Sequence, residues 1–150
     1  VDQGVGVLAW SPLAGGLLSG KYTRDIKPEG VTRMSEGWPE PPIRNEERLW
    51  NIVDVVNEIA EARQVPAAQV SLAWVLSRPG VVSLVIGGRK IEHIRENIGA
   101  AGLKLSDDEM ARLNKVSDPP LIYPYWHQAR FATSTFTDGD RALFGGRSAD

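Results

Sequence analysis

The chain has no cysteine, which removes both a disulfide framework and any thiolate metal site from consideration and leaves the redox compartment open. It has no apolar run approaching the ~20 residues that cross a bilayer. It has no basic segment leading into an apolar one at the N-terminus, so neither a membrane span nor a secretory signal is expected. An excess of positive charge is also missing: 17 Lys and Arg against 19 Asp and Glu give a net charge of −2. No clustered basic surface of the kind that nucleic acid or an anionic membrane requires is therefore expected. Low-complexity tracts are absent, and 42% apolar with 24% charged residues is the balance of an ordinary globular protein. A cytoplasmic setting fits this composition. The first residue is not methionine and an apolar stretch begins almost at once, as expected for a chain that starts inside a longer fold.

What is present alternates between strand and helix patterns. Residues 5–10 form a short apolar run ended by Ser11-Pro12, the pattern of a strand buried on both faces. Residues 81–86 (VVSLVI) form a second such run, ended by Gly87-Gly88. Residues 28–42, rich in Pro, Gly and charge, read as a long surface loop. Leu49, Ile52, Val53, Val56, Ile59 and Ala60 recur at helical spacing within 45–64. A second helix is expected from Pro66 to the Pro79-Gly80 stop, apolar nearly all round and so covered on several sides. A third carries Ile91, Ile94 and Ile98. A fourth starts with Ser106 as cap and Glu109 three residues on, with Leu105 and Met110 as a hydrophobic staple. Strand, helix, strand, helix in this order imply an α/β fold with parallel pairing.

Two segments carry chemistry. In residues 87–97, GGRKIEHIREN, glycines after a strand allow backbone amides to approach an anion, and the following helix adds its positive end. Arg89 and Lys90 add full charges. His93, Glu96 and Asn97 share one side of that helix, where they can hydrogen-bond a purine ring. The same residues also fit a solvated polar face after a tight turn, which composition alone favours. In residues 8–22, LAWSPLAGGLLSGKY, Trp10 ends a strand where it can stack on a flat ring, and small residues follow that can present amides to a pyrophosphate. Equally, Trp10 can be core and the glycines a turn.

Together, WSPLAGGLLSGKY, then AWVL, then IGGR with REN resemble the C-terminal part of the aldo-keto reductases, over nearly everything from Asp2 to about Ser117. That resemblance implies the C-terminal portion of a (β/α)8 TIM barrel, with residues 5–10 and 81–86 as its seventh and eighth strands, and an NADP-dependent oxidoreductase acting on carbonyls of aldehydes, ketones or sugars. It implies that Trp10 stacks on the nicotinamide, and that Ser11, Leu13, Gly15, Gly16 and Lys21 form the pyrophosphate loop. It implies that Gly87, Gly88 and Arg89 hold the 2'-phosphate, while His93, Glu96 and Asn97 face the adenine. His93 stands where the family more commonly has Gln. An arginine at the 2'-phosphate points to NADP over NAD.

The family's catalytic Tyr, Lys, Asp and His lie in earlier strands, and a whole barrel takes roughly 250 residues. No catalytic residue is therefore assigned in this chain, and Tyr22, Lys21, His93 and His127 are not substitutes. The chain is read as one partial domain over 1–150, with 118–150 an irregular aromatic arm that either shapes a substrate pocket or packs as a terminal arm. Residues 145–150 read as a frayed end. The remaining readings are a non-catalytic NADP-binding or regulatory module, and an inactive truncated fragment. A missing half-barrel or a second chain is the partner that a complete enzyme would need.

Overall fold

Helix termini and strand ends in this protein are set by local signals that survive into the three-dimensional structure, a computed structural model describing residues 4–26, 28–32, 37 and 43–144. The first helix, α1 (Glu46–Arg63), starts where the Asn45 side chain accepts from the Arg48 amide, and ends at Gln64 in the left-handed region. Pro66 stands at the N-cap of α2 (Ala67–Leu76). The strands are β1 (Val7–Trp10) and β2 (Val81–Val85), followed by α3 (Ile91–Ile98) and α4 (Asp107–Ser117). The capping box before α4 is formed in both directions. The Ser106 amide donates to Glu109 Oε2 at 2.7 Å, and the Glu109 amide donates to Ser106 Oγ at 3.3 Å.

The chain divides into two compact units, one of them Val7–Ser117. Its core lies between helices. Val56, Ile59 and Ala60 of α1 meet Ala67 and Val70 of α2 and Leu113 of α4. Of the stripe expected on the first helix, Val53, Val56, Ile59 and Ala60 are buried and Leu49 and Ile52 are half-buried. α2 is covered on several sides, packing against α1, β2, α3 and the 3-10 turns at residues 14–19 and 99–102. Charge pairs brace the outside. Arg63 grips Glu109 with two hydrogen bonds of 2.7 and 2.6 Å, joining α1 to α4. That contact, with the Ser106 capping bond, holds the Glu109 carboxyl down at about 2 from an ordinary 4.5. Arg24 spans Glu47, Asn51 and Asp54 on one side of α1. Its hydrogen bonds to Glu47 and then Asp54 push the guanidinium further up, and Glu47 goes down in response.

The strands depart from expectation. They pair in parallel, with Trp10 opposite Val85 and an irregularity between Val7 and Leu8, but they are not buried on both faces. Leu8 is 63% exposed and Val82 64%, and Val7, Trp10 and Val85 are exposed as well. The reason is geometric: burial on both faces needs a layer on each side and neighbours along both edges. The described residues form a two-stranded sheet, so each strand has an open edge. Ile91 and Ile98 of α3 are exposed too, whereas its Asn97 is buried.

The second unit is Val1–Gly6 with Asp118–Asp150. Residues 118–150 are expected as irregular, yet the described part carries α5 (Tyr125–Phe131) and α6 (Asp138–Phe144). A capping pair overlooked in the sequence explains the second. The Thr137 amide donates to Asp140 Oδ2 at 2.9 Å, and the Asp140 amide donates to Thr137 Oγ1 at 3.2 Å. In the first, His127 lies between Trp126 and Phe131, ring centres 5.6 and 4.9 Å away. The expected frayed end at 145–150 and most of the expected loop at 28–42 lie outside the described residues. Among the described residues no helix is long and apolar enough to cross a membrane, and no group of three or more His, Asp or Glu could hold a metal ion.

Candidate functional site

Parallel pairing brings the two motifs together. Because Trp10 lies opposite Val85, both strands end at the same edge of the sheet, and the chain leaving each runs beside the other. A cleft of about 910 Å³ lies there, within the range of small-molecule and cofactor sites. All twelve residues singled out in the sequence line it: Trp10, Ser11, Leu13, Gly15, Gly16, Lys21, Gly87, Gly88, Arg89, His93, Glu96 and Asn97.

The first wall is the turn after β1. Ser11 and Ala14 hold positive φ values of 50° and 48°, and Gly15, Gly16 and Gly20 continue the left-handed pattern. The turn closes on itself, since the amides of Ala14, Gly16 and Leu18 donate to the carbonyls of Ser11, Leu13 and Leu13. Those three amides therefore point inward, where the sequence reading expects a loop offering its amides. Gly16 is needed for two reasons. Its φ is +99°, and a Cβ there would lie 3.0 Å from Lys21 Nζ, so the missing side chain lets the Lys21 amine lie across the turn. Ser71 Oγ of α2 donates to the Leu18 carbonyl at 2.9 Å and holds the turn from below.

The second wall is the segment after β2 with α3. A Cβ on Gly88 would meet Ile94 Cγ1 at 3.0 Å, so that glycine serves packing, whereas a Cβ on Gly87 would meet no protein atom within 4 Å. Gly87 thus lines the cleft beside open space. Arg89 Nη2 donates to the Val31 carbonyl at 2.9 Å, which engages one of five N–H donors. Asn97 is 8% exposed. It lines the cleft at the end of α3.

The cleft also includes residues that the sequence motifs do not assign to a ligand. Ser19, inside the first motif, donates from Oγ to the Gly16 carbonyl at 2.7 Å. Lys90, noted only as an added charge, lines the wall. Val31, Pro66 and Ala68 line it as well, and no local pattern marks them, because they arrive there only through packing of a loop and the first turn of α2. Tyr22, set aside as a proton donor, is not among the residues lining the cleft. Tyr22 is buried, and His127 belongs to the aromatic set of α5.

A strand-turn-helix pair with a cleft at the strand ends defines an α/β ligand-binding architecture. A family model described as "Aldo/keto reductase family" matches residues 1–118, and the chain belongs to that family. It is 32% identical over 119 residues to the aldo-keto reductase str7 of Strobilurus tenacellus, covering 78% of this chain and 34% of that protein. It is 35% identical over 119 residues to the L-glyceraldehyde 3-phosphate reductase of Escherichia coli K12, covering 76% and 34%. It is 28% identical over 120 residues to the NADH-specific methylglyoxal reductase of the same strain, covering 78% and 35%. The chain spans about a third of the length of these relatives.

Proposed function

We propose that this chain is the cofactor-holding part of an NADP-dependent aldo-keto reductase, the C-terminal portion of a (β/α)8 barrel contributing its seventh and eighth strands. One observation carries the reading. Twelve residues from two motifs some 70 positions apart line a single cleft at the C-terminal ends of both strands, the end at which barrel enzymes bind their ligands.

The residues fit a dinucleotide by their chemistry. Trp10, on the rim and exposed, offers a face to the nicotinamide ring. Lys21, beside the Gly16 turn, offers charge to the pyrophosphate, with Ser11, Leu13 and Gly15 around it. Gly87 leaves room for a phosphate group that Arg89 can grip with its remaining donors. His93 and Glu96 border the purine, and the side-chain amide of Asn97 can hydrogen-bond it. When bound, the cofactor supplies the hydride that reduces a carbonyl of an aldehyde, ketone or sugar. This chain holds and orients it, and supplies no proton donor, which belongs to the remaining strands of the barrel. The setting is cytoplasmic, and the partners are NADP(H), a small carbonyl substrate, and the first part of the barrel on the same or another chain. Neither nucleic acid nor membrane takes part.

A non-catalytic cofactor-binding module is the second reading. It is favoured by the helical core of Val7–Ser117, which closes without the open strand faces. Fluorescence titration of the purified chain with NADPH and NADH tests both readings. NADPH is expected to bind more tightly, and Arg89→Ala is expected to weaken it about tenfold or more while leaving NADH unchanged, since a charge-assisted pair to phosphate is lost. Equal affinity for the two cofactors, unaffected by the substitution, overturns the phosphate assignment. The existence of a relative named for NADH specificity makes the NADH arm necessary.

A further inference from the structure

The two helices that flank the cleft are tied by a contact that touches no ligand. α2 contributes Pro66 and Ala68 from its beginning, and α3 contributes Glu96 and Asn97 from its end. Between them lies Gln69, whose Nε2 donates to the main-chain carbonyl of Glu96 at 2.7 Å. That carbonyl already accepts from the Gly99 amide at the close of α3, so Gln69 takes up its second lone pair and caps the last turn from outside. Gly99 makes the contact possible. A Cβ there would lie 2.8 Å from Gln69 Nε2 and 3.2 Å from Cδ, closer than packed atoms approach. Its φ of −56° is ordinary helical backbone, so any residue could adopt it. What a side chain would destroy is the slot that Gln69 occupies. A donor on one helix and a missing methyl on the other specify the same contact.

We propose that Gln69 is a positioning residue for the purine side of the cleft, fixing Glu96 and Asn97 relative to the α2 wall. The proposal rests on the reading of the cleft as a nicotinamide dinucleotide site. Position matters most for Asn97, because a side chain that is 8% exposed has little room to re-aim. A shift of the last turn of α3 therefore moves its amide directly. The nicotinamide side, built on the turn after β1, has no such dependence on Gln69.

The test uses Gln69→Met, which keeps length and volume but removes the donor, together with Gly99→Ala and the double variant Gln69→Ala/Gly99→Ala. Two readouts are taken on the purified chain: backbone amide hydrogen exchange over residues 98–101, and titration with adenosine 2',5'-bisphosphate and, separately, with nicotinamide mononucleotide. Gln69→Met is expected to bind the adenosine bisphosphate about three- to tenfold more weakly, the size of one net hydrogen bond. Nicotinamide mononucleotide binding is expected to hold, and exchange at 98–101 to quicken. Gly99→Ala is expected to show the same pattern. The double variant is expected to recover part of the loss, because removing the long side chain relieves the clash. Unchanged exchange at 98–101 in Gln69→Met overturns the proposal, and so does an equal loss for both nucleotides, which marks a general loss of stability. Failure of the underlying site reading looks different: the unsubstituted chain then binds neither nucleotide, while the exchange comparison still upholds or overturns the hold of Gln69 on α3.

Discussion

Val56 of α1 and Val82 of β2 are the same residue in opposite surroundings, 2% exposed in one case and 64% in the other. The contrast extends to the regions around them. In the helical layer each apolar stripe meets another, and charges such as Arg63 and Glu109 are paired. In the strand pair and the cleft it supports, apolar side chains stand open and polar ones such as Asn97 line the cleft. One region is saturated by contacts within the chain, and the other has contacts left to make. Stability should therefore reside in the helices and binding capacity in the strand ends, and each substitution should be felt according to the region it falls in.

The largest effect is expected for Ile59→Ala. Ile59 is 1% exposed at the centre of the helical core, and truncation there costs about 2–5 kcal/mol, read as a fall in the urea midpoint. An effect as small as that of a surface change would break the contrast. Next comes Gly20→Ala at the base of the cleft turn. Its φ is +86°, and a Cβ there would stand 2.8 Å from Ala67 Cβ, so strain of about 1–3 kcal/mol is expected. Because Ala67 belongs to the helical core, this variant should lower both stability and cofactor affinity.

A smaller effect, of about 1 kcal/mol, is expected for Ser106→Ala, which removes a helix cap. The Glu109 partner makes it depend on pH. With the folded carboxyl at about 2 against an ordinary 4.5, the contribution of Glu109 is fully present above about 4.5 and is lost as pH falls from there toward 2. Urea midpoints measured from pH 6 down to 2.5 should decline, and Glu109→Gln should flatten part of that decline. The share owed to Glu47, also held low by Arg24, should remain. The smallest effect on stability belongs to Val82→Thr on the open strand, within about 0.5 kcal/mol. The same change should reduce self-association, measured by light scattering, because exposed apolar strands are the template for it.

The helices were legible because their signals are local: the Asn45 cap, the spacing of Val53, Val56 and Ile59, and the Ser106–Glu109 box each lie within a few residues. The two strands were legible as apolar runs, but their exposure was not. A run such as VVSLVI reports what a strand can bury and says nothing of whether neighbours are there to bury it. Twelve of the residues lining the cleft were readable through the resemblance of the two motifs to the aldo-keto reductases, since composition alone fits a turn and a solvated face equally well. Pro66, Ala68 and Val31 were not, as each is ordinary in its own segment and reaches the cleft only through packing. In the tail, the Thr137–Asp140 cap was a local signal passed over beside a conspicuous aromatic cluster.

The pairing of Trp10 with Val85 works as an alignment pin. The turn after β1 and the turn after β2 are separated by about 70 residues of helix and loop, and the strand pair joins them directly. Sliding one strand by a single residue would carry its turn about 3.3 Å along the axis and reverse which face each side chain occupies. Trp10 would then swing to the other face of the sheet while every helix kept its core. The alignment of the two turns thus rests on a ladder four pairs long, already stepped once between Val7 and Leu8. The irregularity sits at the end far from the cleft, so the error it introduces is absorbed before the two turns are brought level.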